Sequence, residues 1–307
     1  MARTILVSGS IAYDRIMNFP DHFKNHIMPD KLHVLNVSFV VETVEERFGG
    51  TAGNIAYNLR LLGERPLIVS AVGEDGGFYT EHLLEEGIET DYIAIIPERK
   101  TAFAHIITDL DDNQISAFHV GALSDVVVSR VIPKEAELAI ISPETKEAMM
   151  DRAAVYKEQA LPYVFDPAQQ IPQFSGDELR ECITDARIVI GNDYEMSLIE
   201  RKTGWSISDI AKRGGVAVVT CGENGSKIYT GKEIIMVDAI RPRKFIDPTG
   251  AGDSYRAGFV AGFLEGRALS ECGRIGSWVA SRAIEYYGAQ EHRFTREDLN
   301  AFLASPR

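Results

Sequence analysis

The sequence predicts an α/β protein built on a mainly parallel sheet covered on both faces. Three observations carry that expectation. Short apolar, β-branched runs recur along the 307-residue chain, at 4–7, 66–72, 138–141, 163–165, 187–190 and 216–220. Segments with helical spacing separate several of them, the rhythm of strand–helix–strand units. Hydrophobic residues make up 45% of the chain, enough at this length to bury a sizeable core.

Taken in order, residues 4–7 meet small residues at 8–10, which reads as a buried strand ending in a loop. Ile55, Leu59 and Leu62 share one face of a helix over 53–62, and 66–72 returns as a strand. Further helices are expected at 146–159 and 193–203. Two stretches break the rhythm. Residues 11–48 hold no long helix and contain VSFVVETV at 37–44, a β-branched run. Residues 101–108 and 114–119 flank LDDN, a turn signal, and predict a hairpin. Together, about 11–48 and 100–120 are expected to form a small second sheet that projects over the main one as a lid. The last third reads as helices at 251–265, 270–287 and 295–304. With no internal repeat or low-complexity linker, 1–307 reads as a single domain.

The net charge of −13, from 45 acidic and 32 basic residues, argues against a general nucleic-acid binder. It leaves room for an anionic nucleotide held by a few local donors. Cys182, Cys221 and Cys272 form no CxxC pair, so neither a disulfide nor a zinc framework is expected. The apolar run in MARTILVSGS is too short for a signal peptide or membrane span, and no later stretch reaches that length. A soluble, cytoplasmic protein with no membrane partner is expected.

The strongest chemical signal is DPTGAGDS at 247–254, followed by YRAGFVAGFL. Pro248 and Gly250 make a turn, so Gly250, Ala251 and Gly252 should sit at a helix entrance. Free N–H groups and the helix dipole favour negative charge there, and small side chains let a phosphate approach the backbone. Asp253 would lie in the first turn beside that anion site, placed to take a proton from an attacking hydroxyl. Alone, an Asp at a helix start would simply stabilise the helix. No GxxxxGK[ST] or HRD…DFG pattern occurs, so the phosphate site is of another kind. His22 and His26 are spaced i, i+4 without the Glu of HExxH or a third ligand, and read as solvent-facing lid residues rather than a zinc site.

DPTGAGDSYRAGF resembles the C-terminal signature of the ribokinase-like (PfkB) carbohydrate kinases, and GGTAGNIAYNLRLLG at 49–63 their N-terminal signature. NDYE at 192–195 and TCGENGSKIY from Thr220 match two further elements in the family's order. GSIAYDRIMNFP at 9–20, LH at 32–33, SF at 38–39 and DPAQQ at 166–170 are similar to the actinobacterial adenosine kinases within that family.

The resemblance implies a ribokinase-like three-layer sandwich with a β lid. It implies a kinase that uses ATP and magnesium to phosphorylate the 5′-hydroxyl of adenosine, a purine salvage reaction. Asp253 would be the base, and Gly250, Ala251 and Gly252 the anion hole. Asn192 and Glu195 would organise magnesium and phosphates, largely through water. Without the family, Asn192 and Glu195 read as a capping box. Asp14, Gly50 and Asn54 match sugar-binding positions, although Asp14 by spacing is a turn residue. Ser10, Ser38, Phe118 and Gln170 are candidate base or ribose contacts. Phe118, or Phe103, could stack on a purine, and a Phe in a hairpin is also ordinary core. Relatives carry their aromatic where this chain has Ala104. Gln169 and Gln170 read alone as a polar loop. On the ATP side the resemblance places Thr220, Gly222 and Gly225, otherwise a hairpin turn, with Ser277 and Ala280 against the adenine. Asp247 is the candidate ligand for a monovalent cation such as potassium. An exposed lid sheet could pair two chains. The rival readings are a ribose or fructose kinase, a kinase of another nucleoside, and a non-catalytic nucleoside-binding protein.

Overall fold

A computed structural model describes residues 2–34, 36–111 and 113–305, without the side chains of 30–32. Asp112 of the expected LDDN turn and the side chain of Leu32 lie outside the described residues.

The chain opens with β1 (Thr4–Ser8) and passes within three residues into β2 (Ala12–Asn18) and later β3 (Thr43–Gly49), before α1 (Thr51–Leu61) and β4 (Arg65–Gly73). Then come α2 (Gly77–Glu85), β5 (Ile93–Ile96), β6 (Ala102–Thr108), β7 (Gln114–His119) and β8 (Ala136–Ile141). α3 (Lys146–Glu158), β9 (Tyr163–Phe165), α4 (Gly176–Thr184), β10 (Ile188–Asn192), α5 (Asp193–Thr203) and α6 (Ile207–Arg213) follow. The chain ends with β11 (Val216–Thr220), β12 (Ser226–Tyr229), β13 (Ile234–Val237), α7 (Ala251–Leu264), α8 (Leu269–Ala283) and α9 (Arg296–Ala304).

Nine strands form the main sheet in the order β13-β12-β11-β10-β9-β8-β1-β4-β5, parallel except for the antiparallel β11–β12–β13 edge. Period-two alternation sends neighbouring residues to opposite faces. Ile5, Val7, Ile140, Ile190 and Val218 pack toward α1, α7 and α8; Leu6, Ala139, Ile141, Val189 and Val219 pack toward α3, α4, α5 and α6. Both faces are therefore dry, which explains the uninterrupted apolar runs.

A second sheet, β3-β2-β6-β7, takes its strands from the two stretches that broke the rhythm. β2 pairs parallel with β6, and the β6–β7 hairpin forms as expected. Residues 37–42 of the β-branched run are not strand, however. β3 starts only at Thr43, because its partner β2 ends at Asn18 ahead of Pro20, and Glu42 N–H to Asn18 O (3.1 Å) is the last rung. Phe39 instead packs its ring on Phe19 and Phe23. α8 stops at Ala283, short of the expected 287, because the carbonyl of Ile284 turns to accept the N–H groups of Ile246 and Asp247. Among the described residues no helix is long and apolar enough to cross a membrane, and the three cysteines are free.

Candidate active site

The entrance to α7 is a turn locked from both sides. Asp247 accepts the N–H of Thr249 and of Gly288 (2.9 Å each), and Gly250 takes left-handed backbone (φ 73°) as the helix cap. The N–H of Ala251 is used within the turn, donating to Pro248 O (3.1 Å). Those of Gly250, Gly252 and Asp253 find no acceptor among the described residues. The open donors are thus Gly250, Gly252 and Asp253, with Ala251 supplying wall rather than a hydrogen bond. Asp253 accepts from Asn54 Nδ2 (2.9 Å). Burial pushes its carboxyl up to about 6 against the pull of Arg256 and of the Asn54 hydrogen bond, and Asp166 and Glu195 push it further the same way. A carboxyl at that value is ionised at neutral pH and still a competent base.

On one side of Asp253 lies a cavity of about 1030 Å³. Thr220, Gly222 and Gly225, at the end of β11 and the turn after it, form one wall. Ala251 and Gly252 form another, and Ser277 and Ala280 on α8 a third. Every residue placed on the ATP side by sequence is here except Asn192 and Glu195. Those two form a capping box at the start of α5, Asn192 Oδ1 accepting from Glu195 N (2.8 Å) and Glu195 Oε2 from Asn192 N (2.7 Å). Arg241, Arg243 and Lys244 also line this cavity, a basic loop on an acidic protein that spacing alone did not single out.

A second cavity of about 690 Å³ lies between the small sheet and the loops after β8 and β9. Ser10, Phe118, Gln169 and Gln170 line it, with Ala104, Ile106 and Leu123 as apolar wall. Phe103 does not. Alternation along β6 turns it to the other face, where it packs on His105 and His119 under Arg15. Ser38 is exposed in irregular chain and lines neither cavity. Gly50 caps α1 at φ 86°, where a Cβ would stand 2.5 Å from Ser10 O, so only glycine closes this corner. Asp14 lies on β2 against Gly49. Burial, with Asp253 and Asp247 nearby, pushes it up to about 6. Asp253 directly follows Gly252 on the first cavity's wall. Through Asn54 it is tied to α1, whose first N–H groups bond Ser10 on the second. His22 and His26 stand beside Asp111 (2.9 Å) and Asp21 (2.8 Å), and no metal-sized cluster of His, Cys, Asp or Glu occurs among the described residues.

Residues 4–295 match the sequence pattern of the pfkB family carbohydrate kinases. A nucleoside kinase of Methanothermobacter thermautotrophicus is 34% identical over 294 residues, covering 94% of this chain and 91% of that protein. The chain belongs to the PfkB family. It is a kinase, a phosphotransferase on a ribokinase-like fold. Among solved PfkB structures, Burkholderia thailandensis nucleoside kinase in complex with inosine superposes with a TM-score of 0.89 at 37% identity, covering 97% of this chain and 96% of that one. Methanocaldococcus jannaschii nucleoside kinase, a ribokinase-family member, does so at 0.87 and 30%, covering 98% of each.

Within this PfkB site a buried residue that sequence reasoning missed is Arg256. One turn after Asp253 on α7, it makes a bidentate ion pair with Asp166, its Nη2 reaching Oδ1 at 2.8 Å, and its Nη2 lies 3.8 Å from Glu195. Burial opposes its charge, but the carboxylates of Asp166, Asp253 and Glu195 outweigh that and hold it firmly protonated. One buried cation thus ties the β9 loop, α5 and α7 together beneath Gly252, whose missing Cβ would meet Arg256 Nη1 at 2.8 Å. The signal was present as an Arg in the otherwise apolar run YRAGFVAGFL, since a charge on a buried face needs a partner.

Proposed function

We propose that this protein transfers the γ-phosphoryl group of ATP to the 5′-hydroxyl of a purine nucleoside, with adenosine the first candidate, giving the nucleoside monophosphate and ADP. The observation that carries the reading is a pair of cavities, one framed by Ala251 and Gly252 at the helix entrance that Asp253 follows, the other by Ser10, Phe118 and Gln170. Nucleotide phosphates suit the first, where open N–H groups, Arg241, Arg243 and Lys244 collect. A nucleoside suits the second, with Phe118 to cover a base and glutamines to read its edge. Asp14 and Asn54, outside the cavity lining but close to Asp253, would hold ribose hydroxyls reaching toward that carboxylate. Inosine, bound by the Burkholderia relative, is the closest competitor to adenosine.

In this mechanism Asp253 takes the proton from the 5′-hydroxyl as its oxygen attacks the γ-phosphorus in line, and ADP leaves. The N–H groups of Gly250, Gly252 and Asp253 hold charge developing on the transferred group. Glu195, with Asn192 beside it, offers the oxygen donors that hold magnesium through water, an ion that would offset phosphate charge when bound. Potassium near Asp247 would share a carboxylate that already accepts two N–H groups. The small sheet acts as a lid over the nucleoside, excluding water and limiting ATP hydrolysis.

The test is a panel of adenosine, inosine, guanosine, cytidine, ribose and fructose at one saturating ATP concentration. Purine nucleosides should give the highest kcat/KM. A preference for ribose or fructose would replace this reading with a sugar kinase, and no turnover of any would favour a binding protein.

A further inference from the structure

Behind Asp253 runs a buried chain of hydrogen bonds whose direction is fixed at both ends. The carbonyl of Gly49, which can only accept, receives the Tyr79 hydroxyl (2.6 Å). With its proton committed, Tyr79 must accept from Gln290, whose Nε2 stands 2.7 Å away. The same Nε2 donates to Asn54 Oδ1 (3.0 Å), so the other side of the Asn54 amide is its nitrogen, which donates to Asp253. Gln290 Oε1 then faces His82 Nε2 (3.0 Å), which must carry the proton. His82 is held by stacking on Phe48 at 3.8 Å. Tyr79, Asn54 and Gln290 are each at most 5% exposed, so water cannot substitute for a lost partner. Gly53 leaves the space through which Tyr79 and Gln290 reach α1.

We infer that Gln290 is a positioning residue for phosphoryl transfer: it fixes which way the Asn54 amide points, so that Asn54 presents a donor to the base. The inference rests on the reading of Asp253 as that base. Held this way, Asn54 favours the ionised carboxylate, and the second oxygen of Asp253 is left free for the substrate proton. A reversed amide would set oxygen against oxygen and keep Asp253 protonated. The other charged groups facing Asp253 are Arg256 on its own helix, Asp166 after β9 and Glu195 on α5, with Asp14 on β2 facing it across the cleft. Gln290 touches none of them, so its effect must pass through Asn54.

Gln290→Glu tests the inference, since the shape is kept while both donors are lost. The new carboxylate should draw Asn54 Nδ2 toward itself and reverse the amide. We expect kcat at pH 7 to fall roughly 2–10-fold, the loss that follows when the acid limb moves from about 6 to about 7–8. The acid limb of the pH–rate profile should move up by about one unit or more, so that activity returns toward the wild-type level at high pH. KM for ATP should stay within about threefold, since the ATP-side cavity is untouched. Tyr79→Phe, which frees one Gln290 donor without reversing it, should lower kcat less and leave the limb in place. It serves as the test if Gln290→Glu fails to fold, and a Tyr79→Phe enzyme with its limb shifted as far would sink the inference. So would a folded Gln290→Glu enzyme whose kcat is unchanged, or falls equally at every pH. Asp253→Asn separates the two claims. If that variant turns over normally, the base assignment fails whatever Gln290 does.

Discussion

A carboxylate in the position of Asp253 is held there at a cost to the folded state. Its folded value of about 6 lies above the ordinary 3.8, so the folded protein prefers it protonated, and its ionised form weakens folding at neutral pH. Asp253→Asn should therefore raise the unfolding free energy at neutral pH by roughly 1–2 kcal/mol, less than full burial would give because the residue is only partly covered. The gain should be full well above pH 6 and vanish as the pH drops from about 6 toward 4. Paired urea titrations at pH 7.5 and 4.5 check this. The same substitution should lower kcat by roughly 10²–10⁴-fold while nucleoside binding persists, and in the wild type kcat/KM should fall about tenfold per pH unit below about 6. Asp253 was legible because everything that marks it sits within eight consecutive residues. Arg256 and Gln290 were not, because their partners Asp166 and Asn54 are 90 and 236 residues distant, and no local pattern joins them.

At the scale of elements, legibility followed the origin of each constraint. Strands buried on both faces announced themselves, because packing fixes their composition. The β-branched run at 37–44 becomes strand only from Thr43, because its limit is set by a partner ending before Pro20, a fact of pairing rather than of composition. Phe103 and Phe118 show the same thing within one hairpin: both are aromatic, yet alternation puts only Phe118 at the cavity. Phe118→Ala should raise KM for the nucleoside about 3–10-fold with kcat little changed, the magnitude of one stacking contact, and steady-state kinetics reads it directly. At the junction of β3 and α1, Gly50→Ala combines a positive φ with a Cβ crowding Ser10 O. It should destabilise by roughly 2 kcal/mol or more, seen as a lower urea midpoint with an unchanged m-value.

At the scale of the molecule, stability and pH are linked through a buried histidine that packs behind α1. His292 is fully buried, its Nε2 beside Asn58 Oδ1 (2.8 Å), and burial lowers it from 6.5 to about 4. The unfolded chain therefore takes up its proton first as pH falls. The stability it confers is whole above about 6.5 and is lost progressively down to about 4, roughly 3 kcal/mol in all. Asp14 and Asp253 act in the opposite sense in part of that window. The informative measurement is thus the difference in urea midpoint between wild type and His292→Gln, which should change over pH 6.5 to 4.

The small sheet is joined to the rest of the molecule by four short passages on one border. They run from β1 to β2 through 9–11, from β3 directly into α1 at Gly50, from β5 to β6 through 97–101, and from β7 into the turn at Gly121–Asp125. A panel fastened at four places along one border can swing about that border but can hardly slide or lift away. Opening of the proposed lid would then be a rotation with a single degree of freedom. Two of the four fastenings, at Ser10 and Gly50, lie where the proposed ligand's sugar would rest, so a swing of the lid would be felt there.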